Sequence, residues 1–192
     1  MRKFIAVLIL MILGILLFVT FSNKTSQDRF DKSLLSNSDR LLKNLEEDYD
    51  NTVNKLSDLQ KAPEQVLELN NEIMQKLYSD DVDDAEIDLL INFQRKLYDD
   101  ELLANNPIET HLEKIKEEIK NYKENGTKII GYDTQKNDDN KIDDMFFIKV
   151  VYYLNNVGPK GEIYEEYLLV KDQELWKIKG WQKTEEFIVV GD

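Results

Sequence analysis

Two kinds of apolar spacing divide the chain. From Pro63 to Tyr122 apolar residues recur every three or four positions, and beyond Gly126 they alternate with polar ones. The first spacing gathers them on one side of a helix, the second on one face of a strand. Val66, Leu69, Ile73 and Leu77 predict a helix that opens at Pro63, whose missing N–H costs nothing in a first turn, and ends at Tyr78-Ser79-Asp80-Asp81. A second helix opens with Asp83 as cap and Glu86 three residues on, a capping-box spacing, and runs through Ile87, Leu90, Ile91, Leu97 and Tyr98. A third opens at Asn106-Pro107, with Glu109 at the box position, carries Leu112, Ile115, Ile119 and Tyr122, and closes at Asn125-Gly126.

Strands follow. Ile129, Ile130 and Tyr132 mark a short one within Thr127 to Thr134, and "QKNDDNKIDD" (135 to 144) is a polar connection. Met145 to Asn155 is the strongest strand, because Phe146, Ile148, Val150, Tyr152 and Leu154 share a face. Asn155 to Gly161 reads as a hairpin loop into Glu162 to Lys171; Asp172-Gln173-Glu174 turns the chain into Leu175 to Gln182. In that last strand Trp176 and Ile178 alternate with Lys177 and Lys179, predicting one buried face and one wet. Helices first and antiparallel strands afterwards define an α+β domain, about three helices on one face of a sheet of about four strands, over residues 63 to 192.

Before this domain the pattern differs twice. Phe4 to Phe21 is an 18-residue apolar run without a charge, and as a helix it would reach roughly 27 Å, enough for the hydrocarbon core of a bilayer. Arg2 and Lys3 precede it, so the positive-inside bias keeps the N-terminus cytoplasmic and sends the rest outside. Residues 1 to 24 therefore read as a cytoplasmic stub and single-pass signal anchor in the cell membrane. A cleaved signal peptide is the rival, but Thr20-Phe21-Ser22 is a poor cleavage site. Residues 25 to 62 read as a spacer or helical stalk: Leu35, Leu42, Tyr49 and Leu56 recur every seven positions, with Leu45 and Leu59 three places after two of them, although Ser38 and Thr52 break the seam.

Charge and composition narrow the function classes. Without Arg2, Lys3 and Lys24, 22 basic residues face 38 acidic ones, so the exported part carries −16. Such a body repels nucleic acid and anionic lipid. The absence of cysteine excludes disulfides, a thiol nucleophile, a lipidated cysteine and cysteine-based zinc sites.

Three blocks carry a resemblance: "FQRKLYDDELLANNP" (93 to 107), "LEKIKEEIKNYK" (112 to 123) and "EYLLVKDQELWKIKGW" (166 to 181). They resemble an uncharacterised family of membrane-anchored bacterial proteins, a domain of unknown function. More broadly, three helices before a hairpin-linked sheet are similar to the cone-shaped nuclear-transport-factor-two-like superfamily, which includes ketosteroid isomerase and SnoaL-like proteins. The resemblance implies a cone with a cavity between sheet and helices, and no particular activity. Where the family would have a short "YP" link, this chain runs from Tyr49-Asp50 to Ala62-Pro63, so these residues either form the stalk or pack along the cone.

Candidate chemistry is sparse. His111, the only histidine, lies beside the apolar stripe of the third helix, where a structural role competes with that of a general base. Some cone-fold enzymes pair an Asp or His with a Tyr, and Tyr132, Asp133, Tyr152 and Tyr167 are the residues able to supply such a set. "SDDVDDAEID" and "DTQKNDDNKIDD" are rich in oxygen ligands but lack the glycine and terminal glutamate of a calcium loop. No phosphate-cradling glycine loop occurs, and no cofactor or metal is expected. Arg95, Tyr98, Tyr152, Tyr167 and Trp176 are the expected cavity lining. Partners follow as the lipid bilayer through Phe4 to Phe21, and a small ligand, peptide or envelope protein. A non-enzymatic extracytoplasmic binding module and a cone-fold enzyme on a small apolar substrate both stand. In "LYDDELLANNP" the acids Asp99, Asp100 and Glu101 are expected at the end of the second helix, against its dipole, with Arg95 and Lys96 one turn earlier to offset them.

Overall fold

The computed structural model describes residues 38–135, 141–142, 144–155 and 161–189. The apolar run from Phe4 to Phe21, the start of the spacer, most of the polar connection at 135 to 144 and most of the loop from Asn155 to Gly161 therefore lie outside the described residues. No helix among the described residues is long and apolar enough to cross a membrane.

The fold is α+β. Three short helices, α1 (Ser38–Glu47), α2 (Tyr49–Asn54) and α3 (Leu56–Leu59), lead into α4 (Pro63–Leu77) and α5 (Asp84–Gln94). A 3-10 turn (Arg95–Leu97), α6 (Asp100–Asn105) and α7 (Ile108–Glu124) follow, and then the strands β1 (Ile129–Gln135), β2 (Lys141–Ile142), β3 (Met145–Leu154), β4 (Glu162–Asp172) and β5 (Leu175–Lys183). The sheet order is β1-β3-β4-β5, every pair antiparallel, with β2 added beside the start of β3.

The expected strand faces hold. Ile148, Val150 and Tyr152 of β3 and Trp176 and Ile178 of β5 are buried, facing α4 and α5, with Phe146 and Leu154 packed partly against the same core. α4 is the helix at the centre: Pro63 stands in its first turn and Val66, Leu67, Leu69, Ile73 and Leu77 are buried. Asp83 and Glu86 complete the capping box that opens α5.

Of the two readings open for the heptad residues, those described between Ser38 and Gln60 follow the packed one: Leu41, Leu42, Leu45, Leu56 and Leu59 are buried in the same core as α4 and α5. Their seven-residue spacing, interrupted at Thr52, suits three short helices laid on a domain better than one long seam. Lys76 of α4 pins them there, donating to Asp39 of α1 at 2.8 Å and to Asp81 at 2.9 Å. The domain core thus begins before residue 63.

One expectation is corrected, at "LYDDELL". The expected helix does not run through Tyr98; it tightens at Arg95–Leu97 and stops. Tyr98 and Asp99 are extended, Tyr98 bridges Ile178 in a parallel sense, and the Asp99 N–H donates to the Ile178 carbonyl at 3.0 Å. This corner covers part of the free edge of β5, a surface proteins commonly protect. Asp99 then caps a new helix, its carboxylate accepting from the Leu102 N–H at 2.7 Å, while Asp100 and Glu101 fill the first turn of α6. The acids face the positive end of a dipole, the reverse of the expected arrangement, and this is favourable. Their cations are Lys177 and Lys179 of β5, which pair with Asp100 and with Asp99 and Glu101.

Candidate functional site

The helix-covered face of the sheet brings tyrosines together. Tyr152 of β3 and Tyr167 of β4 are 1% and 2% exposed, and their hydroxyls lie 3.0 Å apart. The Tyr152 hydroxyl is 2.6 Å from the side-chain oxygen of Asn71 on α4, and the Tyr167 hydroxyl donates to Glu165 at 2.9 Å. Two hydroxyl protons cannot fill three contacts. Tyr152 donates to Asn71 Oδ1 and Tyr167 to Glu165, so the contact between the two hydroxyl oxygens has no proton of theirs left, and the buried Asn71 Nδ2 has no hydrogen-bond partner among the described residues. Burial raises the Glu165 carboxyl above its ordinary value near 4.5, against the opposing effects of the Tyr167 bond and of Lys183. Burial likewise lifts both phenols well above 10.

A second tyrosine follows the same rule: the Tyr132 hydroxyl donates to Glu72 of α4 at 3.0 Å. Asp133 does not join this set. It lies with Val151 and Tyr153 on the other face of the sheet, accepting from the Tyr153 hydroxyl at 2.9 Å.

The aromatic cluster continues outward through Trp181, 44% exposed, which stacks on Tyr167 with centroids 5.8 Å apart and tilts against Tyr98 at 6.0 Å. His111 of α7 meets Tyr98 at 6.2 Å. Strict alternation from Trp176 and Ile178 would send Trp181 to the opposite face. A bulge intervenes: Leu169 pairs with Ile178 and Leu168 with Gly180, so Lys179 is the extra residue and Trp181 returns opposite Tyr167.

Arg95 sits elsewhere. It opens onto a groove of about 580 Å³ lined by Tyr49, Leu89, Asn92, Arg95, Lys96, Leu103 and Ile108. The guanidinium Nη1 donates to the Asn106 carbonyl at 2.8 Å and lies 3.3 Å from His111 Nδ1. Burial, then the positive charges of Arg95 and Lys114, lower the His111 pKa, so the ring is neutral at pH 7 and Nδ1 accepts. Asn106 turns its own amide back to the Leu102 carbonyl, so the expected capping box at Asn106 and Glu109 does not form; Pro107 begins α7 without a side-chain cap.

Of the expected lining residues, Tyr98, Tyr152 and Tyr167 thus meet in one cluster and Arg95 lies in a separate groove. Trp176 lies apart from both, edge-on to Phe146 at 6.1 Å, its backbone N–H donating to the Gln60 carbonyl. Sequence reasoning missed Trp181, for which Gly180 inside a strand was the available signal of a bulge. It also missed Asn71 and Glu72, polar residues in mid-helix that the apolar spacing of α4 had no means to place inside. Of the oxygen-rich stretches, the first is accounted for by local bonds: Asp80 pairs with Lys128, Asp81 with Lys76 and Ser79, and Asp83 caps α5. Among the described residues no group of three or more His, Asp or Glu side chains could hold a metal ion.

Fold and site together define an α+β domain whose helices lie on the tyrosine-lined face of a four-stranded antiparallel sheet with one short added strand. The family model described as "Domain of unknown function (DUF6715)" matches residues 1–181, and the chain belongs to that family. No curated protein and no solved structure matches it.

Proposed function

We propose that the chain is a membrane-anchored extracytoplasmic binding or interaction module, non-enzymatic, whose ligand site is the Arg95 groove. Phe4 to Phe21 enters the bilayer, Arg2 and Lys3 remain on the cytoplasmic side, and the acidic domain stands outside the cell membrane. One observation carries the reading. The groove is open, largely apolar and equipped with a guanidinium that has donors to spare, whereas the tyrosine cluster is filled by its own side chains. Preformed apolar clefts with a few convergent polar groups are the usual form of a ligand site. The helices lying on one face of an antiparallel sheet further support placing the domain in the nuclear-transport-factor-two-like superfamily.

A second reading, a cone-fold enzyme of isomerase, dehydratase or hydrolase type on a small apolar substrate, draws on the Glu165–Tyr167 pair beneath the exposed Trp181. Native mass spectrometry of the full-length chain, extracted from membranes, separates the two. A retained small molecule that Arg95→Gln releases supports the binding module. Substrate turnover that Glu165→Gln abolishes in a folded chain supports the enzyme and sinks the module. Protease added to intact cells should digest the domain, and protection of the whole domain would overturn the orientation.

A further inference from the structure

We propose, resting on the binding-module reading, that the groove takes a free monocarboxylic acid: one carboxylate on Arg95 and an apolar body against Leu89, Leu103, Ile108 and the ring of Tyr49.

The donor count argues for the carboxylate. A guanidinium has five N–H groups, and Arg95 directs only those of Nη1 to protein, at the Asn106 carbonyl and His111. Among the described residues the Nε–H and the two Nη2 N–H groups have no partner, and no carboxylate pairs with this arginine. That side of the fork is the one that matches a carboxylate bidentately. The neutral imidazole of His111 props the guanidinium from behind without competing for the anion.

The charge argues for a single negative group. The exported part carries −16, and Asp50 and Asp88 flank the lining residues Tyr49 and Leu89, Asp88 already pairing with Lys116 at 2.6 Å. A dianion entering that field is opposed more strongly than a monoanion, while Lys96 at the rim adds one further positive charge. The walls argue for the apolar body. Leu89, Leu103 and Ile108 are partly buried, Tyr49 is fixed edge-on against Phe93 at 6.4 Å, and about 580 Å³ suits a small molecule.

The test uses the full chain in lipid nanodiscs, titrated by NMR with 4-phenylbutyrate and with 4-phenylbutyramide, which has the same shape without the charge. The wild type should bind the carboxylate about tenfold or more tighter than the amide. Arg95→Gln should erase that preference, and Arg95→Lys should restore part of it. Because Arg95 also holds Asn106, a second variant guards against misfolding: Asn92→Trp, at an exposed wall position, should block both probes with Arg95 intact. Equal affinity for the two probes, a preference that survives Arg95→Gln, or undiminished binding to Asn92→Trp would each overturn the proposal. If the probes do not discriminate while a native ligand still copurifies, the module stands and this inference falls. If the chain instead proves to be an enzyme, a carboxylate preference erased by Arg95→Gln still establishes the groove as an acid site.

Discussion

The two sides of α5 face opposite solutions to one problem, where to place polar hydrogen-bonding groups among apolar ones. On the inner side Gln94 donates to Asn70 at 2.9 Å, and beyond it Asn71, Tyr152, Tyr167 and Glu165 are joined in a row of polar contacts. On the outer side Leu89 and Asn92, with Arg95 and Lys96 of the turn that follows, line a groove in which Arg95 keeps donors unclaimed among the described residues. Satisfied polar groups in a dry interior specify the packing of the fold, since leaving any one of them unmatched is costly. Unclaimed donors at a partly open wall cost little, because water serves them, and remain free for a ligand. Polarity alone therefore does not separate the two sides; unused bonding capacity beside apolar surface does.

The largest expected contrast comes from truncation. Tyr152→Ala should destabilise the domain by about 3–5 kcal/mol, or prevent folding, as loss of a large buried aromatic does. Leu103→Ala in the groove should cost less than about 1 kcal/mol, because its side chain is only partly buried. Urea unfolding of both variants measures the difference, and equal costs would remove the distinction between a structural interior and an open groove. Tyr152→Phe refines it. The ring stays, but Asn71 and Tyr167 each lose a partner in a buried place, for about 1–3 kcal/mol. A neutral Tyr152→Phe would mean that the tyrosine contacts do not act as described.

Glu165 sharpens the same contrast through pH. Its carboxyl is raised in the folded state, chiefly by burial, so the fold binds this proton more tightly than the unfolded chain does. The contribution is fully present below about 4.5 and is lost as pH rises through the folded value. Glu165→Gln removes that dependence, so the variant should gain stability relative to the wild type as pH rises from 4.5 toward neutrality. The groups facing Glu165 are Tyr167, Lys183 and Glu118, and of these only Glu118 is another carboxyl. Paired melting curves with Glu118→Gln as background isolate the effect; a constant offset between the curves would contradict the raised value.

How much of this was legible depends on the scale of the feature. Helix and strand faces were, because a period of 3.6 or 2 is a property of local sequence: Val66, Leu69, Ile73 and Leu77 on α4, and Ile148, Val150 and Tyr152 on β3, are buried as their spacing requires. The corner at Tyr98 was not. The local sequence is helical enough, and what stops it is a carbonyl of Ile178, some 80 residues away. Likewise the place of Trp181 depends on a bulge, and that of Arg95 on the Asn106 carbonyl and His111, all products of tertiary packing that no spacing encodes. The seven-residue repeat of the early leucines predicts helix but leaves stalk and packed cone open, since periodicity shows which face is apolar and not what covers it.

The corner at Leu97–Asp99 joins the two regions, and the smallest effects test whether it keeps them separate. Tyr98 points inward to Trp181 and Tyr167, and Asp99 opens α6, which supplies Leu103 to the groove and leads to the Asn106 carbonyl that holds Arg95. Asp99→Ala removes the cap on the Leu102 N–H and should cost about 1 kcal/mol. Hydrogen exchange should then quicken at the amides of Leu102, Leu103 and Asn106, while those of β3 near Tyr152 stay unchanged. Asp100→Asn, which alters only the first-turn charge and a 3.9 Å contact with Lys177, should cost a few tenths of a kcal/mol and vanish in high salt. Loosening of β3 in Asp99→Ala would mean that groove and interior move as one unit, and binding at Arg95 would then be felt at Tyr152. Loosening confined to α6 would make the groove an adjustable attachment on a fixed core, with the first turn of α6 as its hinge.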